Sequence, residues 1–328
     1  MTARLSLGGS MTALITPFRN GAADEAAFIR LCERQIARGT TALIICGSTG
    51  EAAAMQPEEQ AALVALAVAT ATRRVPVVAG CQAPATEAAV ALANLLMRAG
   101  ADALLCAPTP YVKPTQQGII CHMRALAHAA DRPLVLYDVP SRVGVGIADA
   151  TVATLFKRGI IHAIKDATAD VSRVARLRAL CGAELAQFSG DDATAAAYRA
   201  AGGGGCISVT ANLTPALCSL LHRSWDAVDL RAFANTCDLL APLHEALFLE
   251  SNPIPLKAAL GMLDLAPNEL RLPLTRASQP TRDRLAGVLP AVMDAEDGLA
   301  TMLPYNWRRE SHRTRSFRIP RGSSFTTV

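Results

Sequence analysis

The strongest constraint on this chain's fold is a repeated alternation. Eight short apolar runs are separated by alanine- and leucine-rich stretches with helical spacing. The runs are MTALIT (11–16), TALIIC (41–46), VPVVAG (75–80), DALLCA (102–107), PLVLYDV (133–139), IIHAIKD (160–166), LAQFSG (185–190) and CISVTA (206–211). Between them, DEAAFIRLCERQIARG (24–39) and ATEAAVALANLLMRAG (85–100) close on glycine, a common helix stop. Pro57 followed by acids is a helix start. Strand and helix alternating eight times predict an α/β chain folded as a (β/α)8 TIM barrel. A doubly wound open sheet is the alternative, but no GxGxxG follows the first strand.

Residues 213–295 read as wholly helical, more than the one closing helix a barrel needs. The expected organisation is a barrel over 1–224, a C-terminal helical region over 225–300 and a basic, flexible tail over 301–328. The net charge of +4 belongs to that tail: residues 305–328 hold six arginines and one glutamate, and the rest has 26 basic against 27 acidic side chains. The tail lacks the regular pattern of a nucleic-acid-binding segment, so no nucleic-acid partner is expected. No apolar stretch reaches the roughly 20 residues of a membrane helix, and the first residues lack a signal peptide's apolar core. The expectation is a cytoplasmic protein away from membranes. Its nine cysteines are scattered without a CxxC pair, as expected of reduced thiols.

A (β/α)8 barrel carries its chemistry at the C-terminal ends of its strands. Those ends supply Thr16, GSTGE (47–51), Tyr111, Tyr137, Lys165, Asp191 with Asp192, and Ser208 with Asn212. Lys165 ends an apolar strand, where lost hydration disfavours the ammonium form. A neutral amine there is a nucleophile for Schiff-base formation; pairing with Asp166 or Asp170 is the alternative. GSTGE offers N–H groups and hydroxyls to an anion, and lacks the Lys-Ser/Thr of a phosphate-binding loop. Tyr137 can relay protons and Arg142 can clamp a carboxylate, against the alternatives of a packing residue and a surface ion pair. The six histidines show no metal-binding spacing. His162 reads as a hydrogen-bonded core residue, and Asp191-Asp192 as a helix N-cap.

Taken together, GSTGE, LYDVPSR-GV, IKDAT, FSGDDAT, GCISVTAN and NPIPLKAAL resemble the pyruvate-dependent class I aldolase/lyase family over about residues 8–290. The resemblance implies an imine between Lys165 and pyruvate. Ser48 and Thr49 would hold the pyruvate carboxylate, with Ser48 also relaying protons. Tyr137 would be the main acid/base, and Tyr111 would complete the relay across a dimer interface. Arg142 would bind the carboxylate of L-aspartate 4-semialdehyde, and Gly190 and Ile207 would line the pyruvate pocket. It implies no metal or organic cofactor, and a homodimer or homotetramer. Asp138, Val143 and Ala52 depart from the Asn, Thr and Ser usual in the family. Asp138 and Val143 leave open another pyruvate-dependent aldolase acting on a sugar acid or hydroxy-oxo acid, and a catalytically silent binding protein on the same fold is a third reading. Positions matching the family's lysine-feedback site hold Pro57, Gln60, Pro84, Ala88 and Pro110, which implies weak or absent lysine inhibition.

Overall fold

Each of the eight apolar runs overlaps a strand in the computed structural model, which describes residues 7–131 and 134–302. The strands are β1 Gly9–Ala13, β2 Ala42–Ile45, β3 Val77–Gly80, β4 Ala103–Cys106, β5 Leu134–Asp138, β6 Ala163–Asp166, β7 Ala186–Ser189 and β8 Gly205–Ser208. All pair in parallel and close into a barrel, with β1 bonded to both β2 and β8. Helices α1 Glu25–Ala37, α2 Pro57–Ala71, α3 Thr86–Arg98, α4 Gln116–Ala130, α5 Asp149–Lys157, α6 Arg173–Cys181, α7 Ala195–Ala200 and α8 Pro215–Asp226 follow the strands in turn. Three more helices complete the described chain: α9 Leu230–Ala246, α10 Ile254–Met262 and α11 Gln279–Met302. The tail reading falls on 301–328, where 303–328 lie outside the described residues and the side chains of 301 and 302 are not described.

Strand periodicity sorts side chains into two cores. Met11, Ala42, Ile44, Val78, Leu105, Tyr137, Ala163, Phe188 and Ile207 fill the barrel interior. Leu43, Ile45, Val77, Leu104, Leu136 and Ile164 point outward against the helices. All nine cysteines are free, six of them buried. Among the described residues no helix is long and apolar enough to cross a membrane.

β1 departs from its sequence run. It starts at Gly9 rather than Met11 and ends at Ala13 rather than Thr16. Ser10 and Thr12 are buried strand residues, and Thr12 Oγ1 donates to Gln35 Oε1 at 2.7 Å. Beyond Ala13, Leu14 N still donates to Ile44 O of β2 at 3.0 Å, whereas Ile15 N donates to Asn212 Oδ1 at 3.1 Å. A short hairpin, Phe18–Arg19 with Ala22–Ala23, had no counterpart among the apolar runs.

α10 joins the C-terminal helices to the barrel through a buried ion pair. Lys257, fully buried, pairs with Glu51 of GSTGE, donates to Glu269 O at 2.8 Å and lies 4.2 Å from the Phe18 ring centroid. Burial pushes the Lys257 amine below its usual range, with Glu51 opposing the shift. Removing one partner of such a pair leaves the other charge uncompensated in a dry interior. Lys257→Met is therefore expected to cost about 3–5 kcal/mol of stability in urea titration, and Lys257→Met with Glu51→Gln to recover most of it.

Candidate active site

Lys165 and Tyr137 are brought together by register. Tyr137 of β5 pairs with Lys165 of β6, and Asp138 with Asp166 one step further. Alternation turns Tyr137 and Lys165 into the barrel, where they are 6% and 4% exposed. Lys165 Nζ lies 4.3 Å from the Tyr137 ring centroid. Among the described residues no carboxylate ion-pairs with Lys165. Asp166 faces outward to Arg173 and Thr168, and Asp170 pairs with Arg176. Neither paired alternative for the lysine is therefore realised.

Gly190, after β7, gives the lysine its path. A Cβ at this position would lie 3.0 Å from Lys165 Cε and 3.1 Å from its Cγ. Ile207 of β8 packs in the same interior. The GSTGE loop follows β2, with Ser48 half-buried and Thr49 buried. Gly50 N and Glu51 N donate within the loop, to Gly47 O and Ser48 O, so they are not free for an anion. The N–H groups of Ser48 and Thr49 have no acceptor among the described residues. Two donors and two hydroxyls at the barrel mouth suit a carboxylate.

Arg142 lies on the helical turn Pro140–Val143, exposed at the rim, and its Nη2 donates to Asn252 O at 2.9 Å. The same Asn252 donates through Nδ2 to Thr49 Oγ1 at 2.8 Å. Tyr111 stands apart: it is 95% exposed, with φ of +73°. The structure thus gathers Lys165, Tyr137, Gly190, Ile207 and the GSTGE loop at one mouth and leaves Tyr111 facing outward.

Two expectations need correcting. Asp191 and Asp192 do not cap α7, whose N-cap is Thr194. Asp192 is buried and accepts from Ser208 Oγ, Val209 N (2.8 Å) and Thr210 N (3.1 Å), fixing the turn after β8. His162 precedes β6 rather than lying in it; it is half-buried, and its Nδ1 has no hydrogen-bond partner among the described residues. Sequence reading assigned no role to Glu51, Lys257, Asn252 or Arg173. The signal that singled out Lys165, a lysine in apolar surroundings, also marks Lys257 between Leu256 and Ala258. Among the described residues no group of three or more His, Cys, Asp or Glu could hold a metal ion. A groove of about 430 Å³ lined by Arg19, Arg30 and Arg282 contains none of the candidate site residues.

Behind the lysine, Arg173 of α6 is buried against three carboxylates: Asp138 (2.7 Å), Asp149 (2.8 Å) and Asp166 (3.4 Å). Burial tends to lower the guanidinium's pKa, but Asp166 and Asp138 outweigh it and the net direction is upward. For Asp138, burial outweighs its share of the single cation and raises the carboxyl above its usual range. A carboxyl whose folded pKa is raised stabilises the fold while protonated. That stability is lost as pH rises from the unfolded pKa through the folded one. Urea titrations of Asp138→Asn and of the unaltered protein are expected to shift in the variant's favour as pH rises through this window and to run parallel above it.

A parallel (β/α)8 barrel with, beside a tyrosine at its mouth, a lysine that has no carboxylate partner among the described residues suits an enzyme of the class I, Schiff-base type. The model of the dihydrodipicolinate synthetase family matches residues 6–292, and the chain belongs to that family of pyruvate-dependent lyases. It is 46% identical over 281 residues to the 4-hydroxy-tetrahydrodipicolinate synthase of Parvibaculum lavamentivorans, covering 86% of this chain and 97% of that one. The structure is similar to the corresponding synthase of Methylacidiphilum fumariolicum SolV (TM-score 0.87, 33% identity, 91% and 100% of the two chains). It is also similar to the chloride-inhibited dihydrodipicolinate synthase of Acinetobacter baumannii complexed with pyruvate (TM-score 0.85, 37% identity, 88% and 99%).

Proposed function

We propose that the chain condenses pyruvate with L-aspartate 4-semialdehyde to give 4-hydroxy-tetrahydrodipicolinate, with Lys165 as the nucleophile. The observation that carries this reading is Lys165 itself: buried in the barrel, beside the Tyr137 ring and without a carboxylate partner among the described residues. Its amine attacks the pyruvate carbonyl and expels water to form an imine. Loss of a methyl proton gives the enamine, whose carbon attacks the aldehyde. The amine of the second substrate then adds to the imine, closes the ring and releases Lys165.

Tyr137 is the acid/base for these transfers and Ser48 relays protons. Ser48 and Thr49 hold the pyruvate carboxylate, for which their uncommitted N–H groups speak. Gly190 leaves room for the lysine, and Ile207 forms an apolar wall. Arg142, at the rim, binds the carboxylate of the second substrate. Tyr111 is contributed to a neighbouring subunit's relay in a homodimer or homotetramer; its exposure and outward position support a role away from its own barrel. The kinship with synthases from several organisms supports the same substrates.

Lysine inhibition is proposed to be weak or absent. Gln60, the one amide among the five altered positions, already spends its Nε2 on Ala52 O (3.1 Å) and Met55 O (3.3 Å), and three of the others are prolines. The expected result is undiminished synthase activity at low-millimolar lysine; inhibition at that concentration or below would overturn it.

The decisive experiment is borohydride reduction in the presence of pyruvate, followed by peptide mapping. A gain of about 72 Da on Lys165 is expected, as for a reduced pyruvyl imine. Folded protein without an adduct would overturn the reading. A coupled assay with aspartate semialdehyde then tests the second substrate.

A further inference from the structure

Asn252 lies between two groups assigned to substrate carboxylates, yet the mechanism above gives it no part. Its side chain and its backbone do different things. Nδ2 donates to Thr49 Oγ1 at 2.8 Å, while the main-chain oxygen accepts from Arg142 Nη2 at 2.9 Å. The residue is 6% exposed, and its Oδ1 is buried with no hydrogen-bond partner among the described residues. Turning the amide over would not cure this, because one terminal atom would still lack a partner. What the orientation decides is the Thr49 proton.

A threonine hydroxyl has one proton to give and lone pairs to accept with. A carboxylate can accept but not donate. With Nδ2 filling an acceptor site on Thr49 Oγ1, the hydroxyl proton remains free to meet an anion at the mouth. With the amide reversed, Oδ1 would take that proton and present the anion with a lone pair instead. We propose that Asn252 is a positioning residue that fixes Thr49 as a hydrogen-bond donor toward the pyruvate carboxylate, and through its main chain seats Arg142 for the second carboxylate. Both carboxylate sites thereby rest on one residue of the C-terminal segment, more than 200 positions from Thr49. This rests on the proposed roles of Thr49 and Arg142.

The test begins with borohydride capture of pyruvate on the unaltered protein, which examines those roles separately. Asn252→Asp keeps the size but replaces the donor with an acceptor that competes for the Thr49 proton. It is expected to raise the KM for pyruvate about tenfold or more, with a smaller change in kcat, as loss of a hydrogen bond to a charged group predicts. Arg142 is held by the main-chain oxygen, which this substitution leaves in place, so the KM for the second substrate should change less than that for pyruvate. Thr49→Val should raise the pyruvate KM similarly, and the two changes together should be no worse than Asn252→Asp alone, since both remove the same donated proton. A pyruvate KM within twofold of normal, or fully additive losses, would overturn the inference while leaving the capture result intact. If Asn252→Asp does not accumulate as folded protein, Asn252→Ala decides in its place. It should raise the pyruvate KM about threefold, as loss of a neutral hydrogen bond predicts, and an unchanged KM overturns the proposal. Absence of capture on the unaltered, folded protein would instead overturn the function on which it is built.

Discussion

The register between β5 and β6 is the constraint on which the site depends. It sets Tyr137 beside Lys165 and Asp138 beside Asp166, and alternation then turns the first pair into the barrel and the second toward α6. A slip of one residue would exchange the faces. Were β6 the strand to slip, Asp166 would enter an interior of Met11, Ile44, Val78 and Leu105, away from Arg173, and the lysine would face the helices. Burying a carboxylate without a cation costs far more than the few tenths of a kcal/mol separating many alternative packings. The ion cluster behind the strands therefore discriminates against the wrong register even though Asp138 is poorly compensated within it.

The C-terminal helices belong to the same construction. Three of the contacts that tie them to the barrel show how. Lys257 of α10 grips Glu51 in the loop that carries Ser48 and Thr49. Asn252, just before α10, reaches both Thr49 and Arg142. Glu296 of α11, fully buried, accepts from Ala216 N (3.1 Å) and Leu217 N (2.9 Å) at the start of α8 and pairs with Arg38, which caps the end of α1. The last closes a helix N-terminus with a charge complementary to its dipole. A loop held by an ion pair on one side and an amide on the other can keep the N–H groups of Ser48 and Thr49 uncommitted while those of Gly50 and Glu51 close the turn. That is preorganisation of the kind electrostatic binding requires.

What the sequence made legible was whatever depends on short range. Eight runs of apolar residues announce eight strands, since a parallel barrel strand is covered on both faces and needs no long alternating pattern. Lys165 stood out because its neighbours in the run are apolar. The start of β1 was not legible, because Gly9 and Ser10 resemble loop residues ahead of the apolar run although both are buried strand residues. Its end was missed for the converse reason: Leu14 and Ile15 are apolar, but after one last bond from Leu14 N to Ile44 O of β2 the chain turns to the Asn212 side chain. Asp192 looked like the cap of the nearest helix, whereas its acceptors serve a turn some 17 residues later. Apolar neighbours mark Lys257 in the sequence, but what it and Asn252 bind was invisible there, because their partners Glu51 and Thr49 lie in the second βα loop. No local pattern carries that information.

The structure also bears on the two departures that kept a different aldolase in view. Asp138 follows Tyr137 directly, and in sequence it looks like part of the reacting surface. Its carboxylate instead points away from the barrel interior, to Arg173 and to Ile147 N. Val143, the other departure, is 3% exposed and packs within the inner cluster with Tyr137 and Val139. Neither places a new charge or donor where a second substrate would meet Arg142. A change of substrate from an amino aldehyde to a sugar acid would need added hydroxyl-binding groups at that rim, because a polyol bound without partners leaves its own polar groups unsatisfied. Substitution behind the strands alters how charge is shared among Arg173, Asp138, Asp149 and Asp166. It changes stability and its dependence on pH, and leaves the shape of the mouth to the residues that face it.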